Sequence, residues 1–297
     1  MDILISGAGG FVGSALATFL QKAGHQVTKL VRNKNRRDNE IFWDPISGEV
    51  NKEDFEDFEA VIHLAGKNIA GGRWSAKRKQ EIFLSRARDT WLLSQVLLRL
   101  HRPPKTFICA SAIGIYGDQG AQILTEDSPA GEGFLAEVCS EWEKATVPIA
   151  NRGTRVVNTR FGLILDKSGG MLSKILPIFK LGLGGVLGNG KQFVSWVALN
   201  DVIGAIDYAL IHHELEGPMN VTAPNPVIME EFIKSIAKKL HRPAFFNLPG
   251  PLLKLIFGEE MAKELFLAST RAIPQKLLKS GYSFQMPDLE TALNSLL

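Results

Sequence analysis

Cysteine is nearly absent: 297 residues contain two, Cys109 and Cys139, and no Cys-x-x-Cys. That excludes a disulfide framework and a thiolate zinc site, and it fits a reducing, cytoplasmic setting. No apolar run approaches the ~18 residues of a membrane span. The six histidines show no ligand spacing; His212 and His213 are neighbours on an expected helix and face different ways, so no metal site is predicted. A dominant charge is missing too. Against 34 Lys and Arg stand 31 Asp and Glu, a net +3. The balance is too even to predict a nucleic acid or a membrane as the main partner. The first apolar strand starts at Asp2, so no leader peptide is expected. What remains is an ordinary globular composition, 45% hydrophobic and 22% charged, long enough for one large α/β unit or two joined domains.

The opening of the chain is the strongest local signal. A short apolar run, Asp2 to Ser6, leads into Gly7, Gly10 and Gly13, and an amphipathic stretch follows from Phe11 to Ala23. Gly7 permits a tight turn off the strand, Gly10 lets the backbone approach a pyrophosphate, and Gly13 lets the helix pack on the strand. Phe11 and Val12 then sit at the helix start, where free N–H groups and a partial positive charge meet phosphate. The competing reading is a glycine-rich turn that holds nothing; the strand before it and the helix after it argue against that.

Apolar runs alternate with helical patterns through the first half, which predicts a doubly wound parallel sheet, a Rossmann-type α/β fold, with a smaller α-rich cap. Strands are expected at Gln26–Val31, Ile41–Trp43, Val61–Gly66, Thr106–Ala112 and Arg155–Leu165, with a turn at Asp44–Gly48. Helices are expected over Ala76–Leu100, Phe134–Ala150, Leu199–His213 (capped by Asn200 or Asp201) and Met229–Leu240. Residues 1–165, with 200–225 returning, are assigned to the nucleotide domain. Residues 166–199 and 226–247 are assigned to a substrate cap, and 248–297 to a C-terminal helical domain. The glycine-rich run Gly182–Gly190 is followed by Lys191-Gln192, not by the Ser or Thr of a phosphate loop, so it reads as a mobile substrate loop.

The second strand ends in Val31-Arg32, followed by Lys34, Arg36 and Arg37. NAD-binding proteins of this layout place an acid there for the ribose 2′-hydroxyl, whereas an arginine suits a 2′-phosphate. The missing acid selects NADP(H), with Arg32 as reader and Arg36 as a possible helper. A solvated basic loop is the plainer reading of Lys34 to Arg37.

These features join His63-Leu64-Ala65-Gly66, Ser111-Ala112-Ile113-Gly114-Ile115-Tyr116-Gly117, Thr125-Glu126-Asp127-Ser128-Pro129, Arg160-Phe161-Gly162 and Gly217-Pro218-Met219-Asn220-Val221. With them the chain resembles an extended short-chain dehydrogenase/reductase along its whole length. It is most similar to the atypical, nucleoside-diphosphate-sugar epimerase-like subgroup. The marks of that subgroup are Gly72-Arg73-Trp74, Cys139-x-x-Trp142-Glu143, Gly184-Gly185, Ser195-Trp196, and a C-terminal helical domain with Phe257-Gly258-Glu259 and Arg271-x-x-Pro274-x-x-Leu277. The resemblance implies that Leu64, Ala65, Gly66 and Arg160 border the cofactor. It also implies that the helices from Ala76 and Phe134 form the contact if the protein is a homodimer rather than a monomer.

One absence bears on the chemistry. Active relatives carry Tyr-x-x-x-Lys on the helix after the fifth strand, the tyrosine as proton donor and the lysine lowering its pKa. Here Cys139 and Glu143 fall at those places, and a glutamate raises rather than lowers a neighbouring thiol's pKa. Ser111 survives. The candidates are therefore Ser111 to orient a carbonyl, Tyr116 as a replacement acid or a pocket wall, Cys139 as nucleophile or inert buried thiol, and Glu143 as base or ribose acceptor. Arg73, Trp74 and Trp196 are candidates for the substrate pocket, the tryptophans alternatively for packing. Two functions stay open: an NADP(H)-dependent epimerase or oxidoreductase acting on an unknown small carbonyl or sugar-like substrate, or a non-catalytic NADP(H)-binding redox sensor.

Overall fold

The computed structural model describes residues 1–34, 37–46 and 51–297, apart from the side chain of Lys52. Arg36 and the Ser47-Gly48 part of the expected turn lie outside the described residues. Seven strands form one parallel sheet: β1 (Asp2–Ser6), β2 (Gln26–Val31), β3 (Glu40–Phe42), β4 (Ala60–His63), β5 (Thr106–Ala112), β6 (Arg155–Phe161) and β7 (Gly217–Val221). Their spatial order is β3-β2-β1-β4-β5-β6-β7. The order reverses between β1 and β4, and such a switch point opens a crevice beyond the carboxyl ends of the strands.

Alternation along the strands builds both faces. Ile3 and Ile5 point into one cluster with Leu16, Leu20, Ile62 and Val157, closed by Val202 and Ile206 of the helix Leu199–Ile211. Leu4 points the other way, to Val61, Phe107, Leu93, Leu97 and Trp142. A further cluster lies off the sheet: Leu172, Phe179, Trp196, Phe232 and Ile236 pack with Leu289, Leu293 and Leu296 of the last helix.

Three expected elements are divided. The helix expected over Ala76–Leu100 is two, α2 (Ala76–Leu84) and α3 (Ala87–Leu98). Between them the Ser85 hydroxyl donates to Ile82 O at 3.0 Å and accepts from Lys67 N at 3.0 Å, a side-chain competition with the helix ladder. The helix from Phe134, α4, ends at Lys144, and Pro148 sits in the first turn of a separate short helix, Val147–Asn151. The strand expected over Arg155–Leu165 breaks at Gly162, where a Cβ would stand 2.6 Å from Ser195 O; Leu163–Asp166 then pairs with Trp196–Ala198 outside the main sheet. The expected Asn200 or Asp201 cap is absent: the cap position is Ala198, and buried Asp201 instead accepts Gln285 N at 2.7 Å and Met286 N at 2.9 Å.

Candidate functional site

The crevice is framed first by glycine. Gly7 has φ +73°, and a Cβ there would stand 2.8 Å from Ala65 N and from Leu64 C, so the turn after β1 lies flat on Leu64-Ala65 after β4. A Cβ on Gly13 would stand 2.2 Å from Gly7 O, so no larger residue lets α1 (Phe11–Lys22) start there. Gly9 faces open space. No side chain caps α1 and its first turn carries no acid, so its N-terminus keeps its positive end toward the crevice. The Phe11 ring is covered by Gly169 and Gly170, where a Cβ would come within 2.4 and 3.3 Å of it, and Val12 packs into the first cluster.

Arg32 lies just past β2, and its guanidinium stands 3.8 Å from Asp89 Oδ2. Asp89 is buried and also accepts from Arg88 Nη2 at 2.7 Å and Nε at 3.0 Å. One carboxylate thus holds two guanidinium groups beside the end of β2. Arg88 and Asp89 open α3, and nothing in the local sequence pattern marks them.

At the other end, beyond β5, a chain of buried polar groups runs across three strands. Ser111 Oγ donates to Glu143 Oε1 at 2.7 Å. Arg160 on β6, opposite Ser111 in register, grips both oxygens of Glu143 from Nε and Nη2 at 2.8 Å each. Its Nη1 donates to the Tyr116 hydroxyl at 2.8 Å. Tyr116 Oη lies 2.7 Å from Asn220 Oδ1 and 2.9 Å from Thr125 O. Asn220 N and Lys276 N both donate to Glu126 Oε1 at 3.1 Å. Burial works against the charge of Arg160, but the hydrogen bonds and charge of Glu143 outweigh it and hold the guanidinium's pKa above its usual value.

This network changes the reading of several residues. Tyr116 is wholly buried; burial raises its pKa, and its hydroxyl is enclosed by Arg160, Asn220 and Thr125, so it is a strut and not a replacement acid. The Arg160 side chain is held by Glu143 and Tyr116. Cys139 is buried and its thiol is pushed up to about 12, first by burial and only partly offset by Arg86, which works against the thiolate that a nucleophile needs. Arg86 is the cation that the sequence hid. It sits at the α2–α3 break, donates to Lys67 O at 3.0 Å beneath Gly66, and lies 5.0 Å from the Trp142 ring.

The expected substrate residues also move. Arg73 Nε donates to Ile256 O at 2.7 Å and its Nη2 to Leu255 O, so it caps the C-terminal end of the helix Gly250–Phe257 instead of meeting a substrate anion. Trp74 donates to Ile69 O at 2.9 Å and meets Phe134 edge-on, and Trp196 is a fully buried core residue. Lys67 pairs with Glu81 at 3.3 Å. The run Gly182–Gly190 is not a free loop: Gly184 O accepts Phe246 N, Val186 N donates to Asn247 Oδ1, and Gly190 O accepts Glu230 N. Among the described residues no cluster of three metal-ligating side chains occurs, and no helix is long and apolar enough to cross a membrane.

A glycine cradle at the switch point of a doubly wound sheet, facing a bare helix N-terminus, defines a dinucleotide-binding fold. The sequence matches the NAD dependent epimerase/dehydratase family over residues 3–222 and a domain of unknown function, DUF1731, over residues 248–296. The chain belongs to that family, as an atypical extended short-chain dehydrogenase/reductase. Epimerase family protein YfhF of Bacillus subtilis is 38% identical over 100% of this chain and 98% of its own length. The crystal structure of human epimerase family protein SDR39U1 with NADPH superposes with a TM-score of 0.92 at 31% identity, covering 100% of this chain and 99% of that one. A nucleoside-diphosphate sugar epimerase of Corynebacterium glutamicum gives 0.83 at 33% identity, covering 100% of this chain and 58% of that one.

Proposed function

We propose that this protein is an NADP(H)-dependent enzyme that oxidises and reduces a small hydroxyl- or carbonyl-bearing substrate. The observation that carries the reading is the pairing of the glycine cradle with a two-arginine cluster at the end of β2. The cradle fits a pyrophosphate, because its backbone has no room for a Cβ at Gly7 or Gly13 and no side chain competes for the N-terminus of α1. Gly7, Gly10, Gly13 and the first amides of α1 would hold the pyrophosphate, with Leu64, Ala65 and Gly66 along one wall. Arg32 would meet a 2′-phosphate, as a guanidinium suits a phosphate dianion. The NADPH in the human relative's structure agrees with this choice.

When bound, the nicotinamide supplies or accepts a hydride. The chain's own part is to hold the substrate oxygen and manage its proton. Ser111 Oγ already donates to Glu143, which leaves its lone pairs to accept a proton from a substrate hydroxyl. As the hydroxyl is oxidised, its proton passes to Ser111 Oγ while the serine's own proton passes to Glu143 Oε1; reduction runs the same transfers backward. Arg160 keeps Glu143 aimed at Ser111 by gripping both carboxylate oxygens. Ser111 with Glu143 thus stands in for the missing Tyr-x-x-x-Lys pair.

The test joins two measurements on one preparation. Calorimetric titration is expected to show NADPH binding at least about tenfold tighter than NADH, as a guanidinium–phosphate contact implies. Deuteride from 4-labelled NADPH is expected to enter a component of a pooled metabolite extract, and Ser111→Ala is expected to abolish that transfer while leaving NADPH affinity within a few-fold. Equal affinity for the two nucleotides would overturn the cofactor choice. Tight binding without any transfer would leave a nucleotide-binding module and no enzyme.

A further inference from the structure

The even net charge conceals an uneven distribution. Residues 167–191 contain four lysines and no Asp or Glu, and residues 232–258 contain five Lys or Arg, one His and again no acid. The rest of the chain carries 25 Lys and Arg against all 31 acids. The two acid-free segments are far apart in sequence and joined in space. Phe246 N donates to Gly184 O at 3.1 Å, Leu248 N to Val186 O at 2.9 Å, and Gly188 N to Leu248 O at 2.8 Å. A Cβ on Gly185 would stand 1.9 Å from Phe246 O, so the strips lie against each other with nothing between them.

This joined surface carries much of the chain's exposed apolar bulk. Leu181, Phe245 and Leu255 are 76%, 82% and 71% exposed, and Leu183, Phe246 and Ile256, next or next but one to them in sequence, are exposed as well. A single exposed Leu is unremarkable, but several large exposed apolar side chains carried on two strips that are bonded to each other mark a contact site. Cations are interleaved with it: Lys180 precedes Leu181, Arg242 lies one short turn before Phe245, and Lys254 precedes Leu255. Lys254 is partnered, by Glu259 at 3.0 Å on the border of the surface.

We propose that this surface docks the protein on an anionic lipid bilayer, with Leu181, Phe245 and Leu255 entering the headgroup boundary and Lys180 and Arg242 meeting lipid phosphate. Two features favour lipid over a protein partner. The apolar side chains at Leu181, Phe245 and Leu255 are exposed over most of their surface, whereas a bound helix or strand is gripped in a groove or along an open sheet edge. The absence of acids across both strips suits a continuous negative plane, where each nearby Lys or Arg adds attraction and apolar side chains add burial. The attachment is peripheral, because no helix among the described residues is long and apolar enough to cross a membrane.

The experiment is co-sedimentation of the full chain with vesicles of phosphatidylcholine alone and of phosphatidylcholine with phosphatidylglycerol, in low and high salt. Binding is expected on the anionic vesicles in low salt and to fall about tenfold on the neutral vesicles or in high salt. The triple variant Leu181→Ser, Phe245→Ser, Leu255→Ser is expected to lose about tenfold or more in binding while keeping its melting profile, since all three side chains are exposed. If neither vesicle binds the protein, or if the triple variant binds as well as the parent, the proposal fails. It also fails if sedimentation equilibrium shows a dimer that the triple variant splits, since the surface then covers a second copy of the chain.

Discussion

Under the proposed reading, Asp89 bears on cofactor choice through Arg32 and Arg88. Buried and flanked by Arg32 and Arg88, it fixes two long cations that would otherwise lose much rotamer freedom on meeting a phosphate. Arg32→Ala is expected to weaken NADPH about 10- to 100-fold while leaving NADH within about threefold, because only the 2′-phosphate contact is removed. Arg88→Ala and Asp89→Asn are expected to cost about three- to tenfold, on NADPH alone. Calorimetry with both nucleotides checks this, and an equal loss on NADH would take these residues away from the 2′-phosphate. His63 makes a prediction of another kind. It is wholly buried, 2.5 Å from Ser6 Oγ, and burial depresses its pKa to about 4. The unfolded chain binds that proton near pH 6.5, so the stabilisation from keeping His63 neutral is complete above that pH and is lost as pH falls toward 4. The loss is about 3 kcal/mol, and His63→Gln should flatten it in urea titrations between pH 7.5 and 4.5. A parent protein whose stability stays level across that range would show that His63 is protonated without cost.

The elements show where sequence reading reaches and where it stops. β1, α1 and the Gly7–Gly13 turn were legible because their signals are local: apolar residues at a period of 2 or 3.6, and glycines at 10 and 13 where a Cβ would meet Gly7 O. The break between α2 and α3 was not, because Ala76 to Leu98 is periodic throughout and the partner of Ser85 is Lys67 N, eighteen residues back. Gly162 hid for the same reason: the atom that would collide with a side chain there belongs to Ser195. The roles of Tyr116, Glu126 and Asn220 stayed closed although their motifs were visible, since only the fold brings strands β5, β6 and β7 together around Arg160. The start of α4 is the sharpest example. Gly133 precedes it at φ +109°, and its cap is the carboxylate of Glu264, which accepts Phe134 N at 3.0 Å and Leu135 N at 2.8 Å. Glu264→Ala is expected to lower stability by about 1–2 kcal/mol, with Glu264→Gln retaining part of it through its amide oxygen. Since α4 carries Glu143, the alanine variant should also slow any Ser111-dependent transfer without altering NADPH affinity. Equal stability of Glu264→Ala and the parent in urea would show that solvent caps the helix as well.

At the scale of the whole molecule, the last fifty residues are woven into everything before them. Arg271-Ala272 pairs with Ile123-Leu124 beside the Tyr116 network. Ser195 Oγ accepts Ala272 N at 2.8 Å and lies 2.8 Å from Thr270 O, and Asn220 Nδ2 donates to Ile273 O at 2.9 Å. Lys79 and Glu260 pair at 2.6 Å across the 67–75 loop. Leu289, Leu293 and Leu296 fill the cluster that also holds Trp196 and Phe232, and Leu277 closes the one beneath the sheet. Burying each of these four leucines contributes about 1.5–3 kcal/mol, so their combined removal is comparable to the roughly 5–15 kcal/mol by which a typical domain is stable. A chain ending at Asn247 is therefore expected to lose its cooperative melting transition and to bind no NADPH, although every residue of the Gly7–Gly13 cradle, Arg32 and Ser111 is still present. Thermal unfolding followed by circular dichroism, with NADPH titration on the same sample, checks this. A truncated chain that melts cooperatively and binds NADPH like the parent would mean that the nucleotide fold stands alone and that the C-terminal segment serves only the site above it. The bonds from Ser195, Asn220 and Lys79 to residues beyond 247 argue for the first outcome, because they tie the C-terminal segment to the buried network around Tyr116 and to α2.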